Sequence, residues 1–215
     1  MEMHTFPYLK DAENYIKVAR EYKFEEKDGE TLIVKEPVGV VAAFTPWNYP
    51  LGQIIKKVIP ALIAGNTFIL KPSQNTPLTA YILAEAIDKI GFPEGVFNLV
   101  TGTGSEVGNL LTDHPHVNMV TFTGSTETGK EVAKRALDSV KRITLELGGK
   151  SPSLVLRGAD LEKAVDTTLN IVYGNTGQTC SAYTRLIVPE EYKEEIEKLV
   201  VDKTKEYPFG NPKED

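Results

Sequence analysis

At 215 residues the chain is long enough for one large domain, or for one domain and part of another. Its 41% apolar content supports a sizeable core, and its net charge of −6 argues against nucleic acid as the main partner, because neutralising phosphates takes clustered cations. A single cysteine excludes an internal disulfide and fits a reducing compartment, no apolar run reaches the roughly 18 residues of a membrane span, and the opening MEMHTFPYLKD lacks a basic-then-apolar signal pattern, so a soluble cytoplasmic protein is expected.

The first element is a helix over DAENYIKVAREYKF, where Tyr15, Ile16, Val18, Ala19 and Tyr22 fall close to helical spacing. Asp28-Gly29 is a turn signal, and Leu32–Val34 and Val38–Phe44 read as two strands joined near Pro37. From Val38 onward strand-like and helix-like stretches alternate. GVVAAF is a strand; LGQIIKKVIPALIAG is a helix closed by Gly65, with a bend expected at Pro60. TFILK is followed by the helix PLTAYILAEAIDKIG, with Pro77 near its start and Gly91 at its end. Next come the strand GVFNLV, a short helix SEVGNLLTDH, the strand VNMVTF, the helix STETGKEVAKRALDSV and the strand RITLEL. Continuous apolar strands alternating with amphipathic helices predict an α/β fold with a parallel sheet covered on both faces. After LGGKSP a smaller unit follows, with strands SLVLR and RLIVP and helices DLEKAVDTTLNIVYG and EEYKEEIEKLVVDKTKEY. A section this small buries little surface, which suggests an incomplete second domain.

Several stretches carry candidate chemistry, each with a plain structural alternative. VTGTGSEVG follows a strand and contains Gly102, Gly104 and Gly108, but the third glycine is one position late for the common dinucleotide fingerprint. In FTGSTETG a strand ends and Ser125 opens a helix; free amides there attract anions, and Gly124 permits close approach, though an ordinary capped helix reads the same way. Glu146 sits at the end of a strand beside Gly148-Gly149, as a ligand-edge carboxylate or a merely exposed acid. TPWNYP places Asn48, a potential oxyanion donor, in a turn stiffened by two prolines. Cys180 lies among small polar residues in NTGQTCSAYTR, as a buried small hydrophobe or as a nucleophile. The histidines His4, His114 and His116 have no Cys, His or carboxylate cluster around them in sequence, so no metal site is expected, and none lies near Cys180 in sequence.

Taken together, TPWNYPL, KPSQNTP, GTGSEVG, FTGSTETG, LELGGKSP and NTGQTCSAYTR, in that order and ending at GNP, resemble the NAD(P)-dependent aldehyde dehydrogenase superfamily from about Asp11 to Asp215. The resemblance implies a Rossmann-like nucleotide-binding domain over residues 31–147, preceded by an N-terminal helix and linker over 1–30 and followed by the first part of an α/β catalytic domain over 148–215. It implies that Cys180 attacks an aldehyde, that Asn48 and the Cys180 backbone amide hold the oxyanion, and that Glu146 activates water to hydrolyse the thioester. It places Trp47 and Ser125, with Gly124 beside them, at the pyrophosphate of NAD or NADP. Gly104 and Thr128 fall at the adenine, Lys71 and Gln74 at the ribose, and the Leu147 carbonyl at the nicotinamide.

Two departures matter. Many NAD-preferring members carry Glu where this chain has Gln74; glutamine binds a ribose diol but does not repel a 2′-phosphate, so NADP is expected to be accommodated. The chain also lacks segments found at both ends of family members, so it is expected to be truncated and impaired as it stands, and a homo-oligomer in its full-length form. Two other readings are a catalytically inactive nucleotide-binding or assembly fragment and a CoA-acylating aldehyde dehydrogenase; retention of Glu146 favours hydrolysis by water over the latter.

Overall fold

A computed structural model describes residues 6–211. The chain divides into two compact units, one running to Leu147 and the other starting at Gly148.

The first unit is built on a five-stranded parallel sheet of β3 (Val40–Thr45), β4 (Thr67–Pro72), β5 (Phe97–Leu99), β6 (Met119–Gly124) and β7 (Arg142–Leu147), in the order β5-β4-β3-β6-β7. The chain winds outward from β3 through β4 to β5, then crosses back to lay β6 on the other side of β3. With right-handed crossovers, that reversal sends the two sets of helices to opposite faces. On one face α2 (Pro50–Ile63) and α3 (Leu78–Lys89) cover Val41, Ala43, Phe68 and Leu70, with Ile54, Val58 and Ala80 as the helix contribution. On the other, α4 (Asn109–Asp113) and α5 (Thr126–Leu137) cover Ala42, Phe44, Val120 and Phe122, with Val132 and Ala136. Successive β3 residues thus enter opposite cores, which is why GVVAAF shows no polar alternation.

Asparagines lock the start of the sheet. The Asn66 side-chain oxygen accepts from the Val38 and Gly39 amides at 2.7 and 3.1 Å, and that of Asn118 from the Val40 amide at 2.8 Å. Gly39 has φ +116°, and a Cβ there would lie 2.3 Å from Asn118 Oδ1, so glycine is required twice over. Helix α2 continues through Pro60 to Ile63 and closes in a Schellman turn on Gly65, with the Asn66 amide donating to Ala61 O and the Gly65 amide to Leu62 O.

Three local expectations change. Leu32–Val34 does not lead near Pro37 into the strand after it. Instead β2 (Thr31–Val34) folds back on β1 (Glu25–Asp28) as an antiparallel ribbon, a separate sheet turned by Asp28-Gly29. The opening helix, α1 (Phe6–Glu21), starts earlier than the apolar spacing indicated and stops at Glu21, before Phe24. The short helix after β5 is a π turn over Gly104–Gly108 running into α4.

The second unit pairs β8 (Ser151–Leu154) in parallel with β9 (Tyr183–Ile187). Helices α6 (Leu161–Tyr173) and α7 (Lys193–Thr204) enclose a core of Val155, Val165, Leu169 and Ile196. Asp160 caps α6, its carboxylate accepting from the Lys163 amide at 3.0 Å. No helix among the described residues is long and apolar enough to cross a membrane.

Candidate active site

Strand order reverses between β4 and β6 around β3, and a crevice opens at the C-terminal ends of strands where that happens. Here it is a cleft of about 540 Å³ in the first unit. Strand ends supply Phe44, Thr45, Lys71, Phe122 and Thr123, and the turn after β3 adds Pro46 and Trp47. Ser73, Gln74 and Asn75 follow β4; Gly104, Ser105, Gly108 and Asn109 come from the π turn and α4, and Thr128, Glu131 and Val132 from α5.

Five of the expected cofactor residues, Trp47, Lys71, Gln74, Gly104 and Thr128, therefore meet in one cleft. Trp47 stands half-exposed, at 47%, on the short turn between β3 and α2. Lys71 is 7% exposed; its ammonium donates to Pro72 O at 3.0 Å, and burial pushes its pKa down. The Thr103 hydroxyl sets the π turn by accepting from the Glu106 amide at 3.2 Å and donating to its carboxylate at 2.8 Å. A Cβ on Gly104 would meet nothing within 4 Å, so the protein itself does not fill that space.

Ser125, Gly124 and Leu147 stand beside the cleft and not in its lining. Ser125 caps α5: its hydroxyl accepts from the Thr128 amide at 3.2 Å and donates to the Thr128 hydroxyl at 2.9 Å. Gly124 has a packing reason of its own, since a Cβ there would come within 2.5 Å of the Phe122 ring. The Leu147 side chain packs into the α5 face against Gly129.

The remaining candidates lie elsewhere. Asn48 sits in the turn before α2, next to Trp47. Glu146 pairs in register with Thr123 near the end of the edge strand β7; it is exposed and alternates with Leu145 and Leu147, which face α5. It thus belongs to the sheet face that carries α2. There Lys57 donates to the Thr121 hydroxyl at 2.8 Å, and burial holds its pKa down at about 8 against the opposing pull of Glu146. The position of Lys57 three residues after buried Ile54 and one before buried Val58 was the available sign that it lies on the buried stripe of α2.

Cys180 belongs to the second unit and is exposed. It follows a strained stretch in which Asn175 and Thr176 take left-handed φ of +53° and +55°, between the end of α6 and β9. A Cβ on Gly149 would lie 3.4 Å from the Cys180 carbonyl oxygen, so glycine there leaves the Cys180 backbone room.

A sequence profile described as the aldehyde dehydrogenase family matches residues 4–215. A protein of Staphylococcus saprophyticus named for the same activity is 45% identical over the whole chain, which spans 44% of its length. Among solved structures, a betaine aldehyde dehydrogenase of Staphylococcus aureus in complex with NAD+ superposes with a TM-score of 0.89 at 42% identity, covering 96% of this chain and 43% of that one. Aldehyde dehydrogenase C of Pseudomonas syringae, complexed with NAD+ and octanal, superposes at 0.85 with 45% identity, covering 91% and 41%. The chain therefore spans less than half the length of each of these proteins.

Proposed function

Since the chain belongs to the aldehyde dehydrogenase family, we propose that it serves the NAD(P)-dependent oxidation of an aldehyde to a carboxylic acid, in the cytoplasm and as a homo-oligomer in the full-length form. The observation that carries the reading is the cleft at the strand-order reversal, where Trp47, Lys71, Gln74, Gly104 and Thr128 converge. The NAD+ in two similar structures supports it.

The cleft fits a dinucleotide on its own terms. Besides the buried ammonium of Lys71 and the space above Gly104, the Thr45 and Thr123 hydroxyls are buried without a hydrogen-bond partner among the described residues. Unmet polar groups in a ligand cleft favour a polar ligand. Trp47, Ser125 and Gly124 would take the pyrophosphate, Gly104 and Thr128 the adenine, Lys71 and Gln74 the ribose, and Leu147 O the nicotinamide end. When bound, the nicotinamide supplies a hydride acceptor.

The chain's own residues do the rest. The Cys180 thiolate bonds to the aldehyde carbon. The developing oxyanion is held by the Asn48 side-chain amide and the Cys180 backbone N–H. Oxidation leaves a thioester on Cys180, and Glu146 takes the proton of the water that hydrolyses it. Small neighbours at Gly177, Thr179 and Ser181 give the aldehyde access to the sulfur. By itself the 215-residue chain acylates slowly, since misplacement of a reacting group by about 1 Å costs about 10²-fold in rate.

The test is single-turnover acylation. The chain is mixed with NAD+ and octanal, quenched in acid, and weighed intact. Mass gain at Cys180 together with NADH formation supports the proposal; NAD+ binding without either makes the chain a nucleotide-binding module.

A further inference from the structure

Two elements on one flank of the sheet supply part of the cleft: the π turn running into α4, and α5. The turn brings a bare wall. A Cβ on Gly104 would meet nothing within 4 Å, and one on Gly108 only the Lys71 stem at 4.0 Å. A wall without side chains suits a flat group laid against backbone, such as a purine ring. From α5 come Thr128, Glu131 and Val132, which share one face of the helix. Val132 is buried in the core beneath, while Thr128 and Glu131 are exposed. Glu131 is the one acid among the described residues that line the cleft. Ser105, Asn109 and Thr128 line it too, but a hydroxyl or an amide turns to give or to accept a hydrogen bond, whereas a carboxylate only accepts. Arg135, one turn further along α5, steadies it: its Nε stands 3.5 Å from one carboxylate oxygen, and its Nη1 donates to Asp113 at the end of α4 at 3.0 Å. The other oxygen of Glu131 has no hydrogen-bond partner among the described residues.

We propose that Glu131 selects the base of the nucleotide: it accepts a hydrogen bond from the exocyclic amino group of adenine and disfavours a purine that carries a carbonyl oxygen there. The proposal rests on the nucleotide-binding reading of the cleft and adds the group that reads the base. Charge points the same way. A carboxylate repels phosphates, so in a cleft for a dinucleotide it is well placed only against an uncharged part that offers a donor. In the proposed binding mode Lys71 and Gln74 take the ribose, which leaves the amino group of the base. Thr128, the adenine neighbour in that mode, lies one turn of α5 before Glu131. An oxo-purine would set its oxygen against the carboxylate, acceptor against acceptor, and no rotation of the Glu131 side chain relieves that. A hydrogen bond to a charged group in a partly exposed place is worth about tenfold in affinity.

The experiment titrates the whole chain with NAD+ and with nicotinamide hypoxanthine dinucleotide, in which a carbonyl oxygen replaces the amino group of the base. Binding is read from the fluorescence of Trp47, the chain's single tryptophan and a residue of the cleft, so no turnover is needed and Cys180 plays no part. The wild-type chain should bind NAD+ about tenfold more tightly than the hypoxanthine analogue. In Glu131→Gln the side-chain amide turns to present either a donor or an acceptor, and the two nucleotides should bind within about threefold of each other. Glu127→Gln removes the same charge from the exposed first turn of α5, outside the cleft lining, and should leave the wild-type ratio in place. Equal binding of the two nucleotides by the wild-type chain, or a ratio that Glu131→Gln does not change, overturns the proposal and leaves the nucleotide reading intact. A ratio that Glu127→Gln lowers as much as Glu131→Gln overturns it too, since the effect is then one of net charge and not of contact. Failure of NAD+ to bind at all overturns both.

Discussion

The Lys57 ammonium donates to the Thr121 hydroxyl across the seam between α2 and β6, a 2.8 Å bond that ties a helix to the middle of the sheet's flank. The bond does not compensate for the lost hydration, and the folded-state pKa stands at about 8, below the ordinary lysine value of 10.5. A depressed lysine pKa means that the unfolded chain binds the proton more tightly. Lys57 therefore costs stability below pH 8, and the cost fades as pH rises from 8 to 10.5. Lys57→Met should accordingly stabilise the chain at pH 7 by up to about 2–3 kcal/mol, a gap that shrinks steadily by pH 10. Urea melts at pH 7, 8.5 and 10 read it directly. A constant gap, or destabilisation at pH 7, contradicts the assignment.

Gln74 lines the cleft close in sequence to Lys71, and in the proposed binding mode, with Gln74 at the ribose, a carboxylate there would meet a 2′-phosphate. With glutamine there, NADP+ and NAD+ should bind with similar strength. Gln74→Glu should weaken NADP+ about tenfold, the effect of one like-charge contact in a partly screened site, and change NAD+ by less than about threefold. Calorimetric titration of both nucleotides against both proteins measures the ratio. If the ratio is identical in the two proteins, Gln74 does not set the preference.

The central strands could be read because they are buried on both faces: GVVAAF has apolar residues toward both α2 and α5, and VNMVTF has them toward α5. The first strand of the ribbon could not. Glu25–Asp28 is Glu-Glu-Lys-Asp, which pairs with β2 through its backbone while every side chain faces solvent, so no apolar alternation marks it. The cleft was legible only as separate motifs, because Trp47, Lys71, Gly104 and Thr128 are joined by strand order, and strand order is not written in any local period. The same holds for Lys57 and Thr121, 64 residues apart. The left-handed turn before Cys180 was hidden for another reason: Asn175 is a residue that tolerates positive φ, but Thr176 is not.

Thr176 makes that turn a store of strain. A β-branched residue at φ +55° costs about 1–2 kcal/mol, while glycine there costs about 0.5–1 kcal/mol in unfolded-state entropy. Thr176→Gly should therefore stabilise the chain by about 0.5–1 kcal/mol. Asn175→Gly should be neutral or destabilising, since asparagine bears the conformation well and its side-chain amide donates to Gln178 O at 3.3 Å. Thermal melts of the two variants side by side check the contrast; equal effects would mean that the strain is not at Thr176.

Glu146 carries the last prediction because its proposed role as base separates formation of the thioester from its removal. Exposed near the end of the edge strand β7, it can reach water without unfolding the sheet. Glu146→Gln keeps the shape and the hydrogen-bonding capacity but does not accept a proton. Cys180 should still be acylated and one equivalent of NADH released, after which the thioester persists. Hydrolysis should slow by about 10²–10⁴-fold, the usual worth of a positioned base. Intact mass against time shows the adduct building up in Glu146→Gln, and none forming in Cys180→Ala. Added CoA should yield no acyl-CoA from the wild-type chain, because water activated by Glu146 competes for the same carbonyl. An adduct that clears at the wild-type rate removes Glu146 from the mechanism, and rapid acyl-CoA formation reassigns the acceptor while leaving Cys180 as the nucleophile.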